Sequence, residues 1–125
     1  MDKQIVLSEL KKKLKAFGFK KNKNYWYKEH KGYLLCLNFQ NSQWCTDDYY
    51  IEFGIAYIDS NITCPNLLQW FCRHRCIGKD GELNVPVDDI ILFLEIVHNE
   101  YPAIDQIEKY IIDQGGVRVI NQYWY

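Results

Sequence analysis

Tyr33-Leu34-Leu35-Cys36-Leu37-Asn38-Phe39-Gln40, a polar connection from Asn41 to Asp48, and Tyr49-Tyr50-Ile51-Glu52-Phe53-Gly54-Ile55-Ala56-Tyr57-Ile58 together decide how this chain folds. Both apolar stretches are rich in β-branched and aromatic residues and alternate with period two, so they predict two paired strands. Alternation puts Leu35, Leu37 and Phe39 on one face with Ile51, Phe53, Ile55 and Tyr57. The opposite face carries Cys36, Asn38 and Gln40 beside Tyr50, Glu52 and Gly54. One face reads as core and the other as semi-polar.

Before the hairpin, Leu7, Leu10, Leu14 and Phe17 recur at three and four, predicting an amphipathic helix over 4–17. Asp2 is its expected N-cap and Gly18 the residue that ends it. Residues 19–24 form a polar turn, and Tyr25-Trp26-Tyr27-Lys28-Glu29-His30 reads as a strand joined to the hairpin by Lys31-Gly32. After a loop over 59–66, residues 68–77 alternate as a fourth strand: Leu68, Trp70, Cys72, His74 and Cys76 fall on one side. Asp88 or Asp89 is expected to cap a helix bearing Ile91, Leu94 and Val97. A last helix over 103–114 ends at Gly115-Gly116, and 117–125 is an apolar tail that either adds an edge strand or packs over the core. Short connections make neighbouring strands antiparallel. The expected fold is therefore one α+β domain over 1–125. It is a two-layer sandwich of an antiparallel sheet of three to five strands, with helices from both ends of the chain on one face.

The composition agrees: 125 residues and 48% hydrophobic content suit a single core and exclude a disordered chain. The net charge of −1 hides an asymmetry. Residues 1–32 hold ten lysines against three acids, whereas the other 93 hold five basic residues against thirteen acids. No apolar leader and no run of membrane-spanning length appears, and the five cysteines are an odd number that suits no complete disulfide framework. The cytoplasm is the expected location, with no membrane partner.

Four pieces in this order carry a family resemblance: Leu14-Lys15-Ala16-Phe17-Gly18-Phe19-Lys20-Lys21, Tyr25-Trp26-Tyr27-Lys28, Leu37-Asn38-Phe39-Gln40 with Ser42-Gln43-Trp44, and Tyr50-Ile51-Glu52-Phe53-Gly54-Ile55. They resemble the bacterial family called domain of unknown function 4304, mainly across residues 7–57. Cys72-Arg73-His74-Arg75-Cys76-Ile77-Gly78 is similar to that family's Arg-rich strand, more loosely. The resemblance implies a fold and a bacterial cytosolic setting, and it attaches no activity.

Chemical motifs are sparse. Cys72, His74 and Cys76 lie close in sequence, with Cys64 and Cys45 nearby. On a strand, however, positions four apart are separated by roughly 13 Å, too far for one zinc ion with ligands at about 2.3 Å. No metal and no cofactor is expected. No nucleophile elbow and no phosphate-binding glycine run occurs, so no catalytic residue is assigned and the chain reads as a non-enzyme. The binding candidates lie on the semi-polar side of the sheet: Asn38, Gln40 and Glu52 on its face, Ser42 and Trp44 at its rim, and Arg73 and Arg75, whose face the sequence leaves open. Trp and Arg are enriched at binding hot spots. The leading expectation is a non-catalytic, protein-binding and immunity-like module whose acidic later two-thirds suit a basic toxin as partner. The alternative is a nucleic-acid-binding module, in which Lys20, Lys21, Lys23, Lys28 and Lys31 neutralise phosphates while Tyr25, Trp26 and Tyr27 stack on bases.

Overall fold

The first helix, α1 (Lys3–Ala16), buries Val6, Leu10 and Leu14, one residue per turn, and turns its lysines to solvent. It ends where Gly18 adopts φ +82°. There Gly18 N–H donates to Lys15 O at 3.1 Å and Phe19 N–H to Leu14 O at 3.0 Å. This left-handed glycine closure satisfies carbonyls that the helix cannot pair itself. The computed structural model describes residues 3–30, 32–43, 47–58, 63–79, 82–83, 87–100 and 102–118. Asp2, Trp44 and the tail beyond Arg118 lie outside them.

The strands are β1 (Lys20–Asn22), β2 (Tyr25–His30), β3 (Tyr33–Asn41), β4 (Tyr49–Tyr57), β5 (Cys72–Lys79), β6 (Glu82–Leu83) and β7 (Val117–Arg118). They pair antiparallel in the order β1-β2-β3-β4-β5-β6, with β7 also on β5. The sheet thus exceeds the three to five strands that the sequence predicts. β1, β6 and β7 are only two or three residues long, too short to show any alternation. β3 and β4 pair over their full length, with Leu37 opposite Phe53 and Asn38 opposite Glu52, as the alternation requires.

Helices α2 (Val87–Glu100) and α3 (Ile104–Asp113) join α1 on one face of the sheet. Asp88 and Asp89 lie inside the first turn of α2, where carboxylates favour the positive end of the helix dipole, and do not cap it. The core between the layers unites Leu10 and Leu14, Leu35 and Leu37, Ile51 and Phe53, Phe93 and Leu94, and Ile107 and Ile111. Each fully buried aliphatic side chain contributes on the order of 1.5–3 kcal/mol. The Tyr33 hydroxyl donates to Pro102 O at 2.9 Å, tying β3 to the link between α2 and α3, and its burial pushes the phenol up to about 12.

The segment before β5 departs from the predicted fourth strand. Leu67–Gln69 is a single 3-10 turn, and extended structure begins only at Cys72. Trp70 consequently leaves the face of Cys72 and joins Tyr27, Cys36 and Ala56 in a second apolar cluster, on the side of the sheet away from the helices. Its indole Nε1 donates to Pro65 O at 3.1 Å, and the Tyr27 hydroxyl donates to the same carbonyl at 2.6 Å. Gly54 makes room for this crossing. A Cβ there would collide with the Cys72 carbonyl oxygen and come within 3.0 Å of Trp70 Cε3. The outer face is therefore partly covered by the 63–71 segment.

Candidate functional site

Register builds the site. Tyr25, Asn38, Glu52 and Arg75 stand opposite one another on β2, β3, β4 and β5, so their side chains form one row across the outer face. The neighbouring row is Tyr27, Cys36, Gly54 and Arg73. Both arginines thus occupy the outer face, which settles the point that the sequence leaves open. Gln40 lies one row further on, opposite Tyr50, and is half-buried. Ser42 sits past the end of β3, where its N–H donates to Asp48 O at 3.0 Å. The rows gather Asn38, Glu52, Arg73 and Arg75; Gln40 and Ser42 fall toward the far end of the strand pair.

At the centre is a buried carboxylate. Glu52 is 1% exposed, and its Oε1 accepts from Arg75 Nε at 2.5 Å. Its Oε2 lies 3.6 Å from an Arg73 terminal nitrogen, within ion-pair range and beyond a hydrogen bond. Among the described residues Oε2 accepts no hydrogen bond, and neither does the Oδ1 of Asn38, which is equally buried. The Asn38 amide donates to Asn24 O at 3.2 Å, so its orientation is fixed. Arg73 also donates to Leu67 O at 3.4 Å, linking the ion cluster to the covering segment.

The two arginines differ in what they present. The Arg73 side chain is mostly covered, whereas that of Arg75 is 46% exposed. The Arg75 guanidinium lies 4.6 Å from the centroid of the Tyr50 ring. A guanidinium held at one edge by a carboxylate and on one face by an aromatic ring keeps outward-facing donors in a set direction. Two arginines and one glutamate leave the cluster with one net positive charge. Beside it, a cavity of about 230 Å³ is lined by Glu52, Arg73, Arg75 and the Gly115-Gly116 turn.

Sequence reasoning gave Tyr50 no role and did not find the Pro65 and Leu67 carbonyls. Tyr50 could have been found, because it alternates with Glu52 on the same face. The carbonyls carry no sequence signal. His74 points the other way and meets Phe53 edge-on at 5.3 Å; burial lowers its pKa, with Glu52 acting against that. The thiols of Cys72 and Cys76 are pushed up to about 11 and about 12 by burial, so both stay protonated at neutral pH. No group of three or more metal-ligating side chains occurs among the described residues.

In the basic segment over 20–31, of which Lys31 lies outside the described residues, the aromatic rings pack within the protein. Trp26 is buried in the main core and Tyr27 in the outer cluster, with Tyr25 stacked against Tyr27 at 5.8 Å. Their ring faces are used within the protein. No described helix is long and apolar enough to cross a membrane.

No curated protein and no solved structure matches the chain. A family model described as Domain of unknown function (DUF4304) matches residues 10–91, from α1 into α2. That span covers most of the chain and the whole Asn38–Glu52–Arg75 row, so the protein belongs to this family.

Proposed function

From membership of a family whose description carries no activity, we propose that this protein is a non-catalytic protein-binding module of the bacterial cytosol, immunity-like in role, with its recognition surface on the outer sheet face around Arg75. The observation that carries this reading is the Arg75 guanidinium, half-exposed yet fixed between the buried Glu52 carboxylate and the Tyr50 ring. Arginine and tyrosine held in a set geometry suit a binding hot spot, because little side-chain freedom remains to be lost on association. Gln40 and Arg73 extend the same surface, with Ser42 and Trp44 assigned to its rim.

The cluster also refines the partner. A basic toxin was expected from the excess of acid over residues 33–125, but the cluster itself carries a net positive charge. At this surface the contact is a carboxylate or a row of backbone carbonyls, groups that a guanidinium engages in pairs. Long-range attraction to a basic partner can still act through the remaining acidic surface.

The test is co-expression in a bacterial host with each product encoded beside this gene. The proposal expects one neighbour to arrest growth, this protein to restore it, and Arg75→Glu to abolish the rescue while the variant remains folded by circular dichroism. Rescue unaffected by Arg75→Glu, or no neighbour whose effect this protein alters, contradicts the reading.

A further inference from the structure

A groove of about 380 Å³ runs between α2 and α3, in the helix layer and so on the other side of the sheet from Arg75. Phe93, Ile96, Val97 and Glu100 line it from α2. They recur at three, four and seven, so one stripe of that helix faces the groove over roughly 10 Å. Gln106, Ile107 and Tyr110 line it from α3, and Pro102 from the link. Phe93, Val97 and Ile107 belong to the main core and form the floor. Ile96 and Tyr110 are walls left 40% and 37% exposed. Phe93 and Tyr110 stack at 4.8 Å, and both also line a smaller cavity that continues past Leu92 to Asp89.

The charge around this apolar groove has one sign. Helices α2 and α3 together carry seven acids and one lysine. Lys13 takes Glu95 and Arg118 takes Glu108. Among the described residues, no cation pairs with Asp88, Asp89, Glu100, Asp105 or Asp113. Glu100 stands at the last position of α2, the negative end of the helix dipole, where a cation is favoured and a carboxylate is not. His98, the basic residue of that turn, is turned to Phe17 and Lys28 instead. Toward the other end, burial and then the charge of Asp89 raise the pKa of the Tyr110 phenol, which sets that carboxylate beside the groove. Asp89 and Glu100 stand roughly 16 Å apart along α2. One small cation cannot meet both, whereas basic residues three turns apart on a second helix can.

We infer that this groove docks a basic amphipathic helix of a partner protein. An apolar side chain of that helix seats between Ile96 and Tyr110, and lysines or arginines on its flanks reach Glu100 and Asp89. Apolar anchors in a groove give such a contact its affinity, and the flanking charges give it orientation and speed of encounter. The inference does not rest on the Arg75 surface, which lies on the other face of the sheet, so either stands if the other fails.

The probe is a fluorescein-labelled helical peptide with leucines at heptad spacing and lysines elsewhere, followed by anisotropy at low salt; its control carries glutamate in place of lysine. The inference expects the lysine peptide to bind with a saturating dependence and the glutamate peptide not to bind. Ile96→Glu is the decisive variant, because its added negative charge alone would tighten a cation. It is expected instead to weaken the lysine peptide about tenfold or more, the scale of losing an apolar anchor. Glu100→Lys is expected to weaken it a few-fold, the scale of an exposed ion pair, and Arg75→Glu to leave it unchanged. Ile96 and Glu100 are exposed, so both variants are expected to fold, with circular dichroism as the control. No binding of the lysine peptide at high micromolar concentration overturns the inference. Binding that survives Ile96→Glu also overturns it, by assigning the peptide to acidic surface alone. Self-association of the parent that Ile96→Glu abolishes gives the groove to a second copy, and peptide binding that appears only in Trp124→Glu gives it to the chain's own tail; either result overturns the inference.

Discussion

The two faces of the sheet are built by different rules. The helix face is a set of alternating aliphatic positions covered by α1, α2 and α3, and almost any of its residues would be interior from pattern alone. The outer face has a small apolar patch of Tyr27, Cys36, Ala56 and Trp70 beside a buried ionic row. One face is defined by a repeating pattern and tolerates local change by repacking. The other is defined by a few singular contacts: two donors on the Pro65 carbonyl, a glycine under an indole, and one carboxylate under two arginines. Substitutions should therefore spread their effects differently on the two sides.

The largest effect is expected at Gly54. Gly54→Val forces a side chain into the Cys72 carbonyl and the Trp70 ring, both fixed by the sheet and the covering segment. This overpacking against backbone should remove more than about 4 kcal/mol, so the variant should be largely unfolded by circular dichroism. A cooperative melt within a few degrees of the parent would show that the outer face is looser than described.

Next come truncations on the helix face. Leu14→Ala and Ile51→Ala should each lose about 2–5 kcal/mol in urea titrations, with unchanged slope, because both side chains are fully buried in the main core. Tyr27→Phe on the outer face removes only one donor from a carbonyl that keeps its Trp70 partner. A loss of about 1 kcal/mol is expected. If Tyr27→Phe matched Leu14→Ala, the contrast between patterned and singular contacts would collapse.

The smallest effect is a pH slope. Burial lowers the His74 pKa below its ordinary 6.5, so the unfolded chain takes up the proton first as pH falls. The stability linked to His74 is fully present above about pH 6.5 and declines as pH drops toward the lower folded value. Around this ring neighbouring elements place Phe53 at its edge, Asp89 and Tyr110 about the adjoining cavity, and Glu52, whose charge opposes the shift. Urea midpoints at pH 7.5 and 5.5 should therefore fall less for His74→Gln than for the parent; an identical fall would assign the slope to other groups.

How much of this was legible follows from the same contrast. The central hairpin, its two faces, the three helices and the glycine stops at Gly18 and Gly115 follow from period and turn chemistry, which act within a few residues. The side taken by Trp70 did not, because a 3-10 turn shifts the phase of the alternation, and that turn is tied down by residues 42 positions away, through Tyr25 to Leu67 N–H. The partnership of Glu52 with Arg75 needed the β4–β5 register, which no local pattern specifies when a loop separates the strands. Asn38 and Gln40 were assignable to a face, whereas their separation into a buried row and a half-buried flank was not. Trp44 lies outside the described residues.

The role proposed for Arg75 depends on Glu52 holding it, and a double-mutant cycle with Glu52→Gln and Arg75→Met measures that hold in the absence of any partner. A coupling of about 2 kcal/mol is expected, below the full scale for a buried pair because the arginine is half-exposed. Coupling under about 0.5 kcal/mol, the value of an ordinary surface pair, would mean that Arg75 is not fixed and that the outer face presents no preformed site.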